Sequence, residues 1–558
     1  MKTHSTTQNQ QKTILDYFLK WERETPEACF LKQPYGNTYK AYSWKEAGIE
    51  ARKILSVLQK RGYKKGDRIA LLSSNCAYWM ICDIALMMGG YVSIPLYADV
   101  SAKTMRAILE HSESKFLFVG KLKEDDWNEF KDAFPEQIKI ACLKGYNYDG
   151  YEPWEEFIAD AAEPELHLPT PDEILTFIYT SGTTGSPKGV IHTNHSIVRA
   201  IEVASDAVRL HDKGNRFVSY LPLCHAAERG LIEGGGNYSG GCISFVESLN
   251  SFAQNVADHA PTQFFGVPRI WEKMQSKILE ALPQKKLNLF LSIPILSWIV
   301  KNKIRKSIGL HKAKVILSGA APLSAEVIRW YQKLGINIRE AYGMSENFNV
   351  LAINPEHDIR PGTVGKIFDH QEIKIDSDTQ EILQKCDWMM SGYYKEPENT
   401  AETITDGWLH TGDMGELSPD GFLTVTGRVK DIFKTSKGKY IVPAPMEKNF
   451  TNLASVDQCC IMGSKYAQPF AVVVLSESGR KKNRIEVENE LKALLKEMNE
   501  DAMSYEAINK VIVAKEEWTN ANQLLTPTLK MKRQALSDKY ESALEELILN
   551  RDPVSWEN

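Results

Sequence analysis

Tyr179-Thr-Ser-Gly-Thr-Thr-Gly-Ser-Pro-Lys-Gly189 is the stretch on which the reading of this chain turns. Glycines at 182, 185 and 189 remove Cβ atoms, so backbone N–H groups can close on an anion. The Thr and Ser hydroxyls and Lys188 add further donors. A Gly/Ser/Thr string of this kind is often a plain surface turn. Here it follows Glu173-Ile-Leu-Thr-Phe-Ile-Tyr-Thr180, an apolar run that predicts a buried strand. A loop leaving the end of a buried strand is where phosphate sites are built. The GxxxxGK[ST] spacing of a P-loop fails, because Pro187 stands five positions after Gly182. The stretch is a phosphate cradle of another kind, and we expect a helix after it.

Around that cradle the chain alternates helix and strand. Ala51, Ile54, Leu55 and Leu58 recur at helical spacing. Arg68-Ile-Ala-Leu-Leu72 reads as a buried strand, 78–97 as a buried helix and then a strand, and 315–318 and 338–341 as short strands before loops. From 364 to 427 short β-like runs and Gly/Asp turns predict a smaller β-rich unit. Beyond Arg428–Asp431 the chain is more charged, with a strand at Phe470-Ala-Val-Val-Val-Leu475 and a helix over 486–498. The pattern predicts an α/β protein.

Composition narrows the function. With 67 Lys and Arg against 72 Asp and Glu, the formal charge is −5, without the basic excess that nucleic-acid binding needs. Nine cysteines, irregularly spaced and with no CxxC, argue against a disulfide framework or a zinc site and for a reducing compartment. Met1–Lys12 has no apolar signal core, and no apolar run is long enough to span a bilayer. A cytoplasmic protein is expected.

The cradle resembles the phosphate loop of the adenylate-forming enzyme superfamily, which holds acyl-CoA synthetases, aryl-CoA ligases, luciferases and peptide-synthetase adenylation domains. Further strings fit it in order. Tyr342-Gly-Met-Ser-Glu346 is similar to the family's second nucleotide motif, Leu317-Ser-Gly-Ala-Ala-Pro322 to the backbone platform beside adenine, and Trp408-Leu-His-Thr-Gly-Asp413 to the ribose clamp. Thr426-Gly-Arg-Val-Lys-Asp431 resembles the hinge, and Leu525-Thr-Pro-Thr-Leu-Lys-Met-Lys-Arg533 the C-terminal catalytic-lysine motif in its long-chain form. Four strings point to long- and medium-chain fatty acyl-CoA synthetases: Tyr220–Arg229, Pro261–Lys273, Gly392–Lys395 and Lys434–Pro443.

The resemblance implies an α/β body over 1–429, made of sheet subdomains and the β-rich unit, and a small mobile α+β cap over 430–558. It implies ATP and Mg²⁺, with fatty acid and CoA as the other substrates. Thr180, Ser181, Gly182, Thr183, Thr184, Gly185 and Lys188 would hold phosphate, and Gly319, Ala320 and Ala321 would back the adenine. Tyr342 and Gly343 would hold the base, Ser345 would contact the AMP phosphate, and Asp413 with Arg428 would clamp the ribose. Glu346 and Thr180 would bind the metal, Lys530 would bridge carboxylate and α-phosphate, and Lys532 is its near neighbour. His225 would lie where acyl tunnel meets nucleotide site, Lys430 at the hinge, and Lys434 on the segment shown to CoA.

Two stretches depart from the pattern. Gln380-Glu-Ile-Leu-Gln-Lys-Cys-Asp387 replaces the family's Gly-Glu-Ile…Arg-Gly-Pro and reads as loop variation. Glu233-Gly-Gly-Gly-Asn-Tyr-Ser-Gly-Gly241 is Gly-rich where the tunnel wall is expected; it reads either as a widened wall or as a flexible turn. Competing readings are a fatty acyl-AMP or acyl-carrier-protein ligase, or a catalytically silent nucleotide- or lipid-binding homologue. Finally, 284–314 holds eight Lys and Arg and no Asp or Glu, around the apolar run Leu287–Val300 interrupted by Pro294. That suits an anionic lipid surface, placing the chain in the cytoplasm or peripheral to the inner membrane face. A buried hairpin with solvated ends is the other reading.

Overall fold

The computed structural model describes residues 12–181, 187–500, 502–519, 522–526, 530–543, 546 and 552–557. Buried strands and covering helices form an α/β body with two large sheets. In the first, Arg68–Leu72, Val92–Leu96, Phe116–Val119 and Lys139–Cys142 run parallel, and Ile174–Ser181 joins beside Val92–Leu96. Ala77–Met88, the crossover between two of these strands, is buried along its whole length, which is why its sequence is apolar all round.

The cradle follows Ile174–Ser181, but the next element is a strand. Pro187–Thr193 pairs antiparallel with it, setting Thr180 opposite Lys188 and Ser181 opposite Pro187. The expected helix, Asn194–Ser205, begins only after that return strand, where the Thr193 hydroxyl accepts from the Ser196 N–H and closes a capping box. Val190, Ile191 and Thr193 are β-branched and extend the hairpin. Gly182, Thr183, Thr184 and Gly185 lie outside the described residues, as does the side chain of Ser181.

The second sheet is continuous across what reads as two units. Cys29–Tyr35, Cys242–Phe245, Arg216–Ser219, Gln263–Gly266, Val315–Ser318 and Arg339–Tyr342 are joined in parallel. Arg339–Tyr342 then pairs antiparallel with Ala352–Ile353 on its other edge and so joins the β-rich unit of Gly365–Ile367, Glu372–Ile375, Glu381–Lys385, Trp408–Leu417 and Phe422–Arg428. The strand at this change of direction carries Tyr342 at its end.

At the C-terminal end, Val456–Met462, Phe470–Leu475, Val511–Val513 and Val554–Trp556 form a separate four-stranded sheet. Phe470–Leu475 is buried on both faces, so it reads as an unbroken apolar run. One face packs Cys459, Ile461, Ala471 and Val473 against Val487, Leu491 and Leu495 of the helix Arg484–Glu500. The other packs Cys460, Val472 and Val474 against Leu536, Tyr540 and Trp518. Among the described residues no helix is long and apolar enough to cross a membrane.

The Gly-rich stretch is helical. A π-helical turn, Arg229–Gly234, leads into Gly235–Ser239. Buried Arg229 anchors the turn, its Nη2 donating to Asp83 Oδ2 at 2.6 Å. A Cβ on Gly234 would stand 2.4 Å from Ile201 Cδ1, and one on Gly236 2.6 Å from Ile243 Cδ1. These glycines permit close packing and do not widen a wall.

Candidate functional site

Tyr342 ends its strand with its hydroxyl donating to Asp413 Oδ2 at 2.7 Å, and Arg428 Nε donates to Asp413 Oδ1 at 2.8 Å. Asp413 and Arg428 are register partners on the antiparallel strands Trp408–Leu417 and Phe422–Arg428. One carboxylate thus ties three sequence motifs together. Two oxygens offer about four acceptor positions, so Asp413 keeps capacity for hydroxyls of a ligand. Burial first, then the Asp413 charge, pushes the Tyr342 phenol well above its ordinary value.

After Tyr342 the chain turns sharply. A Cβ on Gly343 would lie 2.3 Å from the Asn349 carbonyl carbon, so the close approach requires glycine here. The 3₁₀ turn Ser345–Asn347 follows and buries Glu346. Tyr393 donates its hydroxyl to Glu346 Oε1 at 2.7 Å, and the Met390 N–H donates to the Glu346 carbonyl at 2.7 Å. His192 Nε2 lies 2.7 Å from the Ser345 carbonyl. A carbonyl only accepts, so Nε2 carries the proton and Nδ1 accepts from Ser196, 3.2 Å away. Burial pushes His192 down to about 4, which keeps that neutral form at pH 7. Gln384, from the stretch read as loop variation, accepts from Asn347 at 2.7 Å and so braces the same turn.

Lys188 stands 3.9 Å from Glu396 and 5.1 Å from the centre of the Tyr393 ring. Tyr393 therefore touches both the cradle lysine and Glu346. Gly319 and Ala320 follow Val315–Ser318; a Cβ on Gly319 would lie 3.1 Å from the Ala341 carbonyl oxygen, and Ala320 holds φ +67. Both line a cavity that opens to solvent. Its walls are apolar: Ala200, Ile201, Val208, Leu231, Phe265 and Phe348 among them, with Gly230 the glycine of the π-helical turn that lines it. Gly343 also lines it, placing one end against the Tyr342 turn.

His225 precedes Ala226 and Ala227 of the cavity wall and caps their short helix, its Nδ1 accepting from the Ala227 N–H at 3.2 Å. Burial first and then the charge of Lys530 push it down to about 4. It is neutral at pH 7, with Nε2–H as a donor.

Lys530 is exposed to solvent, with enough protein around it to disfavour its charge. That desolvation and then Arg428 lower its pKa, while Asp413 and Glu346 oppose the shift. The C-terminal lysine thus stands in the electrostatic field of the Asp413–Glu346 cluster. Arg533, three residues on, ties the motif down, with Nε donating to Asp431 at 2.8 Å and Nη1 to Glu447 at 2.8 Å. Lys430 is exposed in the 3₁₀ turn Val429–Asp431, between Arg428 of the site and the Asp431 that holds Arg533. Lys434 is exposed, 5.4 Å from the Tyr440 ring, and no contact joins it to the Tyr342–Asp413 cluster among the described residues.

Three residues of the site went unassigned in the sequence: Tyr393, His192 and Glu396. Tyr393 lies inside a quoted string, but nothing in that string names Glu346 as its partner.

Residues 18–394 match the family described as AMP-binding enzyme, and 430–551 match that described as AMP-binding enzyme C-terminal domain. A long-chain-fatty-acid–CoA ligase of Mycobacterium tuberculosis is 28% identical, covering 94% of this chain and 95% of the relative. Fatty acyl-CoA synthetase A of Dictyostelium discoideum is 28% identical, over 91% of this chain and 86% of that protein. Among solved structures, an anthranilate CoA ligase in complex with anthranoyl-AMP superposes with a TM-score of 0.79 at 19% identity, covering 96% and 98% of the two chains. The o-succinylbenzoate CoA synthetase of Bacillus subtilis, in complex with its acyl-adenylate intermediate, gives 0.72 at 21% identity, covering 94% and 98%.

Proposed function

The chain belongs to the AMP-binding enzyme family, and from that premise we propose that it is an ATP-dependent acid–thiol ligase for medium- and long-chain fatty acids. The observation that carries the reading is the Asp413 carboxylate, shared by Tyr342 and Arg428 beside an apolar cavity and within the field of Lys530. A polar nucleotide clamp abutting an apolar chain pocket fits an acyl-adenylate.

In the first half-reaction a carboxylate oxygen of the fatty acid attacks the α-phosphorus of ATP. The new P–O bond forms as the bond to the β-phosphate oxygen breaks, and pyrophosphate leaves. Two anions must meet, so the residues act by positioning and charge. Thr180, residues 181–185 and Lys188 hold the phosphates. Gly319, Ala320, Ala321 and Gly343 form the bed for the adenine against Tyr342, Ser345 contacts the α-phosphate, and Asp413 with Arg428 holds the ribose. Lys530 bridges the attacking carboxylate and the α-phosphate. His225, neutral, donates from Nε2 at the junction of cavity and nucleotide.

Glu346 and the Thr180 hydroxyl are hard oxygen donors that fit Mg²⁺. These two groups would hold the ion, an oxygen-only donor set of the kind it takes. When bound it neutralises phosphate charge.

In the second half-reaction the sulfur of CoA attacks the acyl carbonyl, the C–O bond to AMP breaks, the thiol proton passes to solvent and AMP leaves. The cap, 430–558, turns about Lys430, withdrawing Lys530 and bringing the Lys434 segment to CoA. The chain works in the cytoplasm or at the inner membrane face, where its fatty acid partitions. Incubation with ATP, CoA and a panel of carboxylic acids tests the reading. AMP and pyrophosphate formed from C12–C18 acids, with turnover requiring CoA, are expected; ADP would overturn it.

A further inference from the structure

The hairpin of Gln284–Ser292 and Pro294–Ser307 has two apolar faces, and the fold uses one. Leu287, Ile304 and Ile308 are buried in the cluster around Trp271 and Tyr331, with Leu291 and Val300 packed against it. Leu289, Ile293, Ile295, Trp298 and Ile299 face away, with exposures of 59, 46, 76, 69 and 47%. Ile295, Trp298 and Ile299 stand at i, i+3 and i+4, so they form one patch. Pro294 starts the second helix, where its missing N–H costs nothing, and sharpens the corner between the two.

A contiguous apolar surface of this size marks a contact. Its surroundings select the partner. No acidic residue occurs over 284–314, and Lys285, Lys286, Lys303 and Lys306 are exposed within a turn or two of the apolar side chains. A second copy of the same face would set cations against cations. An anionic bilayer takes both features, the apolar side chains below its headgroups and the lysines among its phosphates. The second helix has 14 residues, about 21 Å of rise, short of the roughly 30 Å of a hydrocarbon core. It lies on the surface and does not cross it.

We propose that the 284–307 hairpin is a membrane-docking surface that sinks Leu289, Ile295, Trp298 and Ile299 into an anionic bilayer while its exposed lysines pair with lipid phosphate. The use of this surface rests on the fatty-acid reading, since the acid would be drawn from the same bilayer. Val315–Ser318, soon after the hairpin, leads to Gly319 of the cavity wall.

Co-sedimentation of the full chain with vesicles tests it, with no ATP, CoA or fatty acid present, so that docking and catalysis can fail separately. Binding to vesicles of phosphatidylcholine with phosphatidylglycerol is expected, with little binding to phosphatidylcholine alone. Ile295→Ala with Trp298→Ala, and separately Lys303→Glu with Lys306→Glu, should each lower binding by about tenfold or more. Both variants should retain acyl-CoA formation from a soluble C8 acid, which shows that they fold. Native binding that is absent, or equal in all variants, would overturn the proposal. So would a native dimer in light scattering that Trp298→Ala dissociates, because the patch would then belong to a second copy.

Discussion

On the body side of the site, Asp413 receives Tyr342 and Arg428, Glu346 receives Tyr393, and the Ser345 carbonyl receives His192, each within 2.8 Å. From the C-terminal region, among the described residues, Lys530 acts on this cluster. Its position is set by its N–H, which donates to the Thr526 hydroxyl at 3.0 Å, and by Arg533 on Asp431 and Glu447. The body groups are braced against one another. Lys530 reaches them through space, by charge. A site built this way can keep its nucleotide while its lysine leaves, so binding and adenylation should separate under mutation.

The largest break is expected from Lys530→Ala. Overall acyl-CoA synthesis should fall by about 100-fold or more, as for loss of one preorganised charge, while ATP binding by calorimetry stays close to native. Asp413→Ala should do the reverse. It leaves Tyr342 and Arg428 without their acceptor, each such loss costing about 1–3 kcal/mol, so the KM for ATP should rise by about tenfold or more. A KM left unchanged would remove Asp413 from the clamp. Tyr393→Phe sharpens the body side. Glu346 loses a donor, and the Mg²⁺ concentration for half-maximal activity should rise by about tenfold, with kcat restored at saturating metal. An unchanged metal dependence would limit Tyr393 to packing.

The smallest effect is on pH. Desolvation and Arg428 lower the Lys530 pKa, so its charge is lost at a lower pH than for a free lysine, near 10.4. The adenylation rate should fall on the alkaline side below that value by a few-fold, and Lys530→Arg should move this limb upward because the guanidinium stays charged. A limb that does not move assigns the titration to another group.

On both sides of this comparison the sequence showed the ligand-facing groups more readily than the bracing between them. Lys530, Asp413, Arg428 and the Tyr342–Glu346 turn lie in short contiguous motifs, where glycines and hydroxyls at fixed offsets leave few alternatives. The bracing was hidden because it joins residues far apart: Tyr393 and Glu346 are separated by 47 positions, His192 and Ser345 by 153. No local pattern carries that register. The same limit explains the fold. Pro187–Thr193 has the composition of a strand, yet only its pairing with Ile174–Ser181 reveals the hairpin. The run 233–241 reads as a widened wall or a flexible turn because glycine disfavours helix, yet it is helical through Ser239, where packing against Ile201 and Ile243 leaves no room for a Cβ on Gly234 or Gly236. The β-rich unit was legible over 364–427, but not that Arg339–Tyr342 joins it to the parallel sheet.

The separation itself is tested most directly by measuring both half-reactions on one Lys530→Ala preparation: pyrophosphate release from ATP and fatty acid without CoA, and acyl-CoA formation from supplied acyl-AMP. The first is predicted to fall by about 100-fold or more and the second to stay within a few-fold of native. Equal loss in both would contradict the account.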